Sequence, residues 1–130
     1  MQVIGHGIDL VECGRIAEMV QKHGQRFLKR VFTEQERADC RGYKRQWERL
    51  AGRFAVKEAV MKILGTGWRG GIAWTDIETR NNPNGKPQVR LSGVVAEKVK
   101  EKGIREIHVS ITHTAELAIA SAVALGAVSS

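Results

Sequence analysis

Hydrophobic and polar positions along the chain change period as it proceeds, helical at first and strand-like later. Val3 to Leu10 reads as a strand, and Gly5 and Gly7 within it predict close approach of another backbone. From Cys13 to His23 the apolar positions Ile16, Met19 and Val20 recur at helical spacing, and Gly24 is a stop signal. Arg26 to Phe32 is a short helix-like turn, both basic and apolar. Thr33 followed three residues later by Glu36 spells a capping box, so a helix is expected to begin at Glu34. The longest helix is predicted from about Gln46 to Leu64, with Leu50, Phe54, Ala55 and Ile63 available for burial, and Gly65-Thr66-Gly67 ends it.

Ile72 to Arg80 and Gln88 to Leu91 then read as strands around dense turn chemistry, in which Asn84-Gly85 suits a primed hairpin turn. Ser92 can cap a helix running through Lys102, closed by Gly103. Glu106 to Thr112 alternates, with Ile107, Val109 and Ile111 facing one way and His108, Ser110 and Thr112 the other. Leu117 to Leu125 is nearly all apolar, with Ala118, Ala120, Ala122 and Ala124 at every second position, and reads as a strand packed closely on both faces. Helices gather in the first half and strands in the second, joined by hairpin-length links. The expectation is one α+β domain over residues 1–130, an antiparallel sheet packed with a long helix.

Composition narrows the class. With 42% apolar and 27% charged residues, the chain can bury a real core and is not of disordered type. No run approaches the ~20 apolar residues of a membrane span, so no membrane insertion is expected. The chain does not open with a basic region followed by an apolar stretch, so no signal peptide is visible. Cys13 and Cys40 are too few for a disulfide framework and lack CxxC spacing, which points to reduced cysteines and a cytoplasmic protein.

A net charge of +7 is read either as a solvated basic surface without a partner or as a match for an anionic one: nucleic acid, a membrane surface, or an acidic protein or phosphate ligand. Arg15, Lys22, Arg26, Lys29 and Arg30 line the first helical region, interleaved with Met19 and Phe27. The apolar residues among the charges favour a docking surface over a merely solvated face. A basic nucleic-acid-binding module is the rival reading. Against it, aromatics make up only 5% of the chain, and no helix-turn-helix, RNP or zinc pattern is present.

The candidate chemistry centres on Arg53-Phe54-Ala55-Val56-Lys57-Glu58-Ala59-Val60-Met61-Lys62. Glu58 and Lys62 lie four apart on one helical face, and Arg53 adds a guanidinium more than a turn upstream. A single pair of this kind is usually solvated decoration, but two companions change its weight. Asp9 closes an N-terminal strand, and Mg²⁺ takes one or two protein carboxylates beside water and substrate phosphate, which Asp9 and Glu58 together supply. Ser110, Thr112 and His113 place an imidazole beside hydroxyls, suited to a phosphate or a proton. The Gly85-Lys86-Pro87 turn offers free backbone and a lysine to an anion.

Gly7-Ile8-Asp9-Leu10-Val11-Glu12, Leu50 to Ala59, Asn84-Gly85-Lys86-Pro87 and Val109-Ser110-Ile111-Thr112-His113-Thr114 form an ordered set covering nearly the whole chain. Together they resemble the holo-acyl-carrier-protein synthases, small bacterial 4'-phosphopantetheinyl transferases. The resemblance implies that fold and a reaction: 4'-phosphopantetheine moves from coenzyme A to a serine of apo acyl carrier protein in fatty-acid biosynthesis, releasing adenosine 3',5'-bisphosphate. It implies Mg²⁺ held by Asp9 and Glu58, with Lys62 beside the phosphates and Glu58 and Lys62 as catalytic residues. Arg53, His113 and Gly85-Lys86-Pro87 would hold the nucleotide end. Arg15, Met19, Arg26, Phe27 and Arg30 would dock the acidic carrier. It further implies a homotrimer with sites at subunit interfaces. Glu58, His113 and a metal-bound water compete as acceptor of the serine proton. The chain departs from the family pattern at His6, where an apolar residue is usual, and Trp68-Arg69-Gly70-Gly71 carries no assigned role.

Overall fold

The computed structural model describes residues 1–127. Strand β1 (Gln2–Glu12) leads into helices α1 (Cys13–His23), α2 (Gln25–Val31) and α3 (Glu34–Cys40), then the long α4 (Gln46–Leu64). A hairpin of β2 (Ile77–Asn81) and β3 (Pro87–Leu91), helix α5 (Gly93–Glu101) and strands β4 (Ile104–His113) and β5 (Leu117–Gly126) complete the chain. The main sheet is antiparallel in the order β1-β5-β4. The expected α+β architecture, sheet packed on a long helix, is the one observed.

Alternation of the central strand builds the core. Ala118, Ala120, Ala122 and Ala124 are fully buried on the face that receives α4, and small side chains there let the helix lie close on the sheet. Gly7 extends this contact into β1, because a Cβ at that position would overlap the carbonyl of Ala59 on α4. The opposite face of β5 is only half-buried, and β1 adds Ile8 and Leu10 to it at 54% and 58% exposure. His6 lies on this outer face, away from α4.

Several local signals produced the structures they predict. Thr33 Oγ1 accepts from the Glu36 N–H and a Glu36 carboxylate oxygen accepts from the Thr33 N–H, so α3 starts at Glu34. Gly65 ends α4 in the left-handed region at φ 72°.

Three expectations need correction. Residues 72–76 are not strand: Asp76 turns the chain back by accepting from the Ala73 N–H at 3.2 Å, in a 3₁₀ turn over Trp74–Asp76. The same residue's carbonyl takes the Ser92 N–H at 2.9 Å, and its carboxylate takes the Val95 N–H at 3.5 Å. The cap of α5 therefore comes from Asp76, not from the Ser92 side chain, and α5 stops at Glu101. The hairpin turn is not of the primed type. Among the described residues no non-glycine has positive φ, so Asn84 stays out of the left-handed region that turn requires. Instead Pro83 and Asn84 form the centre of a turn closed by Gly85 N–H to the Asn82 carbonyl at 2.8 Å.

Candidate active site

The β1–α4 crossing brings Asp9, Glu58 and Lys62 together. The close approach at Gly7 sets the height of β1 on the helix, and two residues later Asp9 meets Lys62, which donates to its Oδ1 at 3.1 Å and to the Ile8 carbonyl at 2.8 Å. Burial pushes the Glu58 carboxyl above the ordinary carboxylate range and the negative charge of Asp9 adds to this, while Lys62 and Arg15 pull it back, and the buried Trp68 indole N–H has no hydrogen-bond partner. A half-buried carboxylate beside a second one forms a donor set for a hard divalent cation. Among the described residues no third histidine, cysteine or acid completes a cage of protein ligands. That arrangement fits Mg²⁺, which keeps water and substrate oxygens in its shell.

A second group forms where the first half of α4 meets the hairpin and the end of β4. Arg53, Gly85, Pro87 and His113 line one cavity of about 180 Å³, together with Glu48 and Arg49. Arg53 is only 4% exposed. Its Nη1 donates to the Arg49 carbonyl at 3.4 Å, and its Nε has no hydrogen-bond partner. A buried guanidinium with an unused donor on a cavity wall is suited to an anion. Lys86 is not on this wall. It lines a different groove, between β3 and β4, and its backbone N–H is taken by Asn82 and Asn84.

His113 also needs a correction. Alternation puts it on the Ile111 face, toward α4, and not with Ser110 and Thr112, which point outward with His108. Its Nδ1 lies 3.0 Å from Glu48 Oε2.

All five candidate docking residues meet on one face. Arg15, Met19, Phe27 and Arg30 line an apolar cavity of about 250 Å³ with Phe54 and Trp74. Arg26 joins Met19, Phe27 and Arg30 around an adjoining one of about 280 Å³. Lys22 is instead paired with Glu18 at 3.0 Å. Trp68 belongs under this face: its ring stacks on Trp74 at 3.6 Å, and Trp74 stacks on Phe54 at 5.1 Å.

Sequence reasoning missed the buried pairing of Lys57 with Glu36, and it missed Glu48. Lys57 and Glu36 are fully buried and paired at 2.8 Å. Lys57 Nζ also donates to the carbonyls of Trp74, at 3.1 Å, and Ile77, while Glu36 Oε2 accepts the Thr79 N–H at 3.0 Å. A signal existed: Leu50, Phe54, Lys57, Met61 and Leu64 follow a 4-3-4-3 spacing, so Lys57 interrupts an apolar stripe.

The chain matches the 4'-phosphopantetheinyl transferase superfamily over residues 5–122. It is 44% identical over 118 residues to a holo-acyl-carrier-protein synthase of Solibacter usitatus, covering 91% of this chain and 94% of that protein. Its structure resembles the crystal structure of the Neisseria meningitidis holo-acyl-carrier-protein synthase with a TM-score of 0.86 at 31% identity, over 95% of this chain and 99% of that one. The Bacillus anthracis synthase, solved in complex with CoA (3',5'-ADP), aligns with a TM-score of 0.79 at 37% identity over 98% of this chain and all of that one (100%). Motif order, fold and overall similarity agree, and the chain belongs to the 4'-phosphopantetheinyl transferase superfamily, among its holo-acyl-carrier-protein synthases.

Proposed function

We propose that this chain transfers 4'-phosphopantetheine from coenzyme A to a serine of an apo acyl carrier protein, with Asp9, Glu58 and Lys62 at the reacting pyrophosphate. The serine oxygen forms a bond to the β-phosphorus, the bond from that phosphorus to the bridging oxygen breaks, and adenosine 3',5'-bisphosphate leaves. Such a transfer asks a protein chiefly for positioning and charge neutralisation. The observation that carries the reading is the meeting of Asp9, Glu58 and Lys62 at the β1–α4 crossing, two carboxylates and an ammonium on one side of the fold. Mg²⁺ held by Asp9 and Glu58 would polarise the pyrophosphate and stabilise the leaving bisphosphate. Lys62 neutralises phosphate charge. The serine proton passes to a water held by Glu58. Arg53, His113, Gly85 and Pro87 hold the nucleotide end, with Lys86 outside that cavity.

The acidic carrier docks on Arg15, Met19, Arg26, Phe27 and Arg30, with an apolar side chain entering the cavity beneath. Mass spectrometry of an apo carrier incubated with enzyme, CoA and Mg²⁺ tests the reaction. A gain of the phosphopantetheine mass on the carrier is expected, and an unmodified carrier would refute it. In the same assay Arg30→Glu should raise KM for the carrier far more than for CoA. The wild-type carrier KM should rise with salt, since exposed charges are screened beyond ~8 Å at physiological ionic strength.

Two observations support a homotrimer with shared sites. The outer face of the sheet, with Ile8, Leu10 and the half-buried side of β5, is apolar and uncovered within one chain. The Asp9 cluster and the His113 cavity also form separate groups. Asp9 and Glu58 are assigned to one subunit and His113 to its neighbour. Assayed at CoA well below the wild-type KM, where both variants are impaired, Asp9→Ala co-refolded with His113→Ala should give mixed trimers more active than either parent. A monomer by light scattering would defeat this assembly outright.

A further inference from the structure

We propose that Glu48 is a positioning residue for the donor nucleotide, acting through His113. The proposal rests on the reading of His113 as a donor-binding residue. Glu48 stands in the first turn of α4 with its side chain only 7% exposed, whereas the His113 imidazole is 40% exposed. The buried carboxylate Oε2 lies 3.0 Å from Nδ1 of the ring, and its other oxygen lies 3.8 Å from Arg45 Nε. A half-exposed ring at the end of a strand is otherwise free to turn. An ionised carboxylate can only accept, so the hydrogen bond makes Nδ1 the donor nitrogen and leaves Nε2 for a ligand.

The surroundings define that ligand. The cavity wall that carries His113 also carries Arg49 and Arg53, with an unused donor on the Arg53 guanidinium. Among the described residues Glu48 is the one carboxylate on this wall, and it is spent on His113 and Arg45. An anion entering the cavity therefore meets guanidinium donors and an oriented imidazole. A carboxylate in this place with no ring to hold would only oppose an anionic ligand. The hairpin completes the lining with Gly85, Pro87 and the amide-bearing Asn81, none of which carries a charge.

Three variants and one double variant test the assignment. Glu48→Met keeps the bulk but removes the acceptor. It should raise KM for CoA about tenfold while changing kcat much less, as should His113→Ala. Glu48→Gln retains an acceptor oxygen and should recover most of the loss. The double variant Glu48→Met/His113→Ala should be no worse than His113→Ala alone, because Glu48 has nothing to act through once the ring is gone. Long-range ¹⁵N–¹H NMR on the free trimer should place the His113 proton on Nδ1 in wild type and Glu48→Gln, and should lose that preference in Glu48→Met. A normal CoA KM in Glu48→Met beside a raised one in His113→Ala overturns the proposal. So does a double variant whose losses add, since that is the signature of a purely structural glutamate. An unchanged CoA KM in His113→Ala overturns the donor-site reading itself, and the role of Glu48 with it.

Discussion

Lys57 and Glu58 are neighbours on α4, yet they live in opposite electrostatic regimes. Lys57 is fully buried, and each of its three ammonium protons has an acceptor: Glu36, the Trp74 carbonyl and the Ile77 carbonyl. Burial lowers its pKa, with Glu36 opposing that shift. Glu58 is half-buried beside a like charge, which raises its pKa. The helix turns 100° between them, and that rotation separates a cation whose needs the fold has met from an anion whose needs it has not. The satisfied group joins α3, the 3₁₀ turn and β2 to α4. The unsatisfied group, with Asp9, is where a ligand has something to contribute. Charge alone does not distinguish structural from chemical residues on this helix. The state of their hydrogen-bonding partners does.

The largest effect should come from breaking the satisfied side. Lys57→Met leaves the buried Glu36 carboxyl without its cation, and loss of one partner of a buried pair costs about 3–5 kcal/mol. Urea denaturation of the metal-free protein should show that loss. Adding Glu36→Gln to the same chain should recover part of it, because the stranded carboxyl is then removed. If Lys57→Met unfolds at the wild-type midpoint, the pair does not hold these elements together.

Breaking the unsatisfied side should do the reverse. Asp9→Ala or Glu58→Gln should lower kcat/KM by about 10²-fold or more, roughly 2.7 kcal/mol of transition-state stabilisation, while the fold survives. Mg²⁺ titration by calorimetry should weaken in parallel. Near-normal activity in both variants at saturating CoA and Mg²⁺ would remove the metal assignment.

What was legible in the sequence follows the range of the interactions. Helix starts and stops were readable where a local device sets them, as with Thr33 and Glu36 or with Gly65. The Ile72 to Arg80 strand held only over 77–80, because Asp76 closes a 3₁₀ turn just before it and is tied to the start of α5, far along the chain. The site divides in the same way. Asp9 and Glu58 stood out because an ordered motif set marks them, Lys62 because it follows Glu58 by four residues, and the structure brings Asp9 and Lys62 into contact. The facing of His113 was recoverable from strand period alone, since residues 109, 111 and 113 must share a side. The pairing of Glu48 with His113 and of Glu36 with Lys57 was not recoverable: the partners lie 65 and 21 residues apart.

The smallest effect should be the most discriminating. The Glu58 carboxyl is raised in the folded state by burial and by Asp9. A group whose folded pKa exceeds its unfolded one contributes stability below the unfolded pKa and loses it as pH rises through the folded pKa. In the metal-free protein Glu58→Gln should therefore melt slightly higher than wild type at about pH 8, well above the carboxylate range. That advantage should vanish as pH falls to about 4, where Glu58 is largely protonated in both states. Partial exposure screens the interaction, so the shift is expected to be small. Mg²⁺ should reverse the order at the higher pH, because a ligand bound only to the folded state raises the stability of wild type and does little for the variant. Lys57→Met offers no such reversal, since its loss comes from a pair with no opening for a metal. If Glu58→Gln melts below wild type without metal at the higher pH, Glu58 is stabilised by its partners in the free protein, and the contrast with Lys57 is lost.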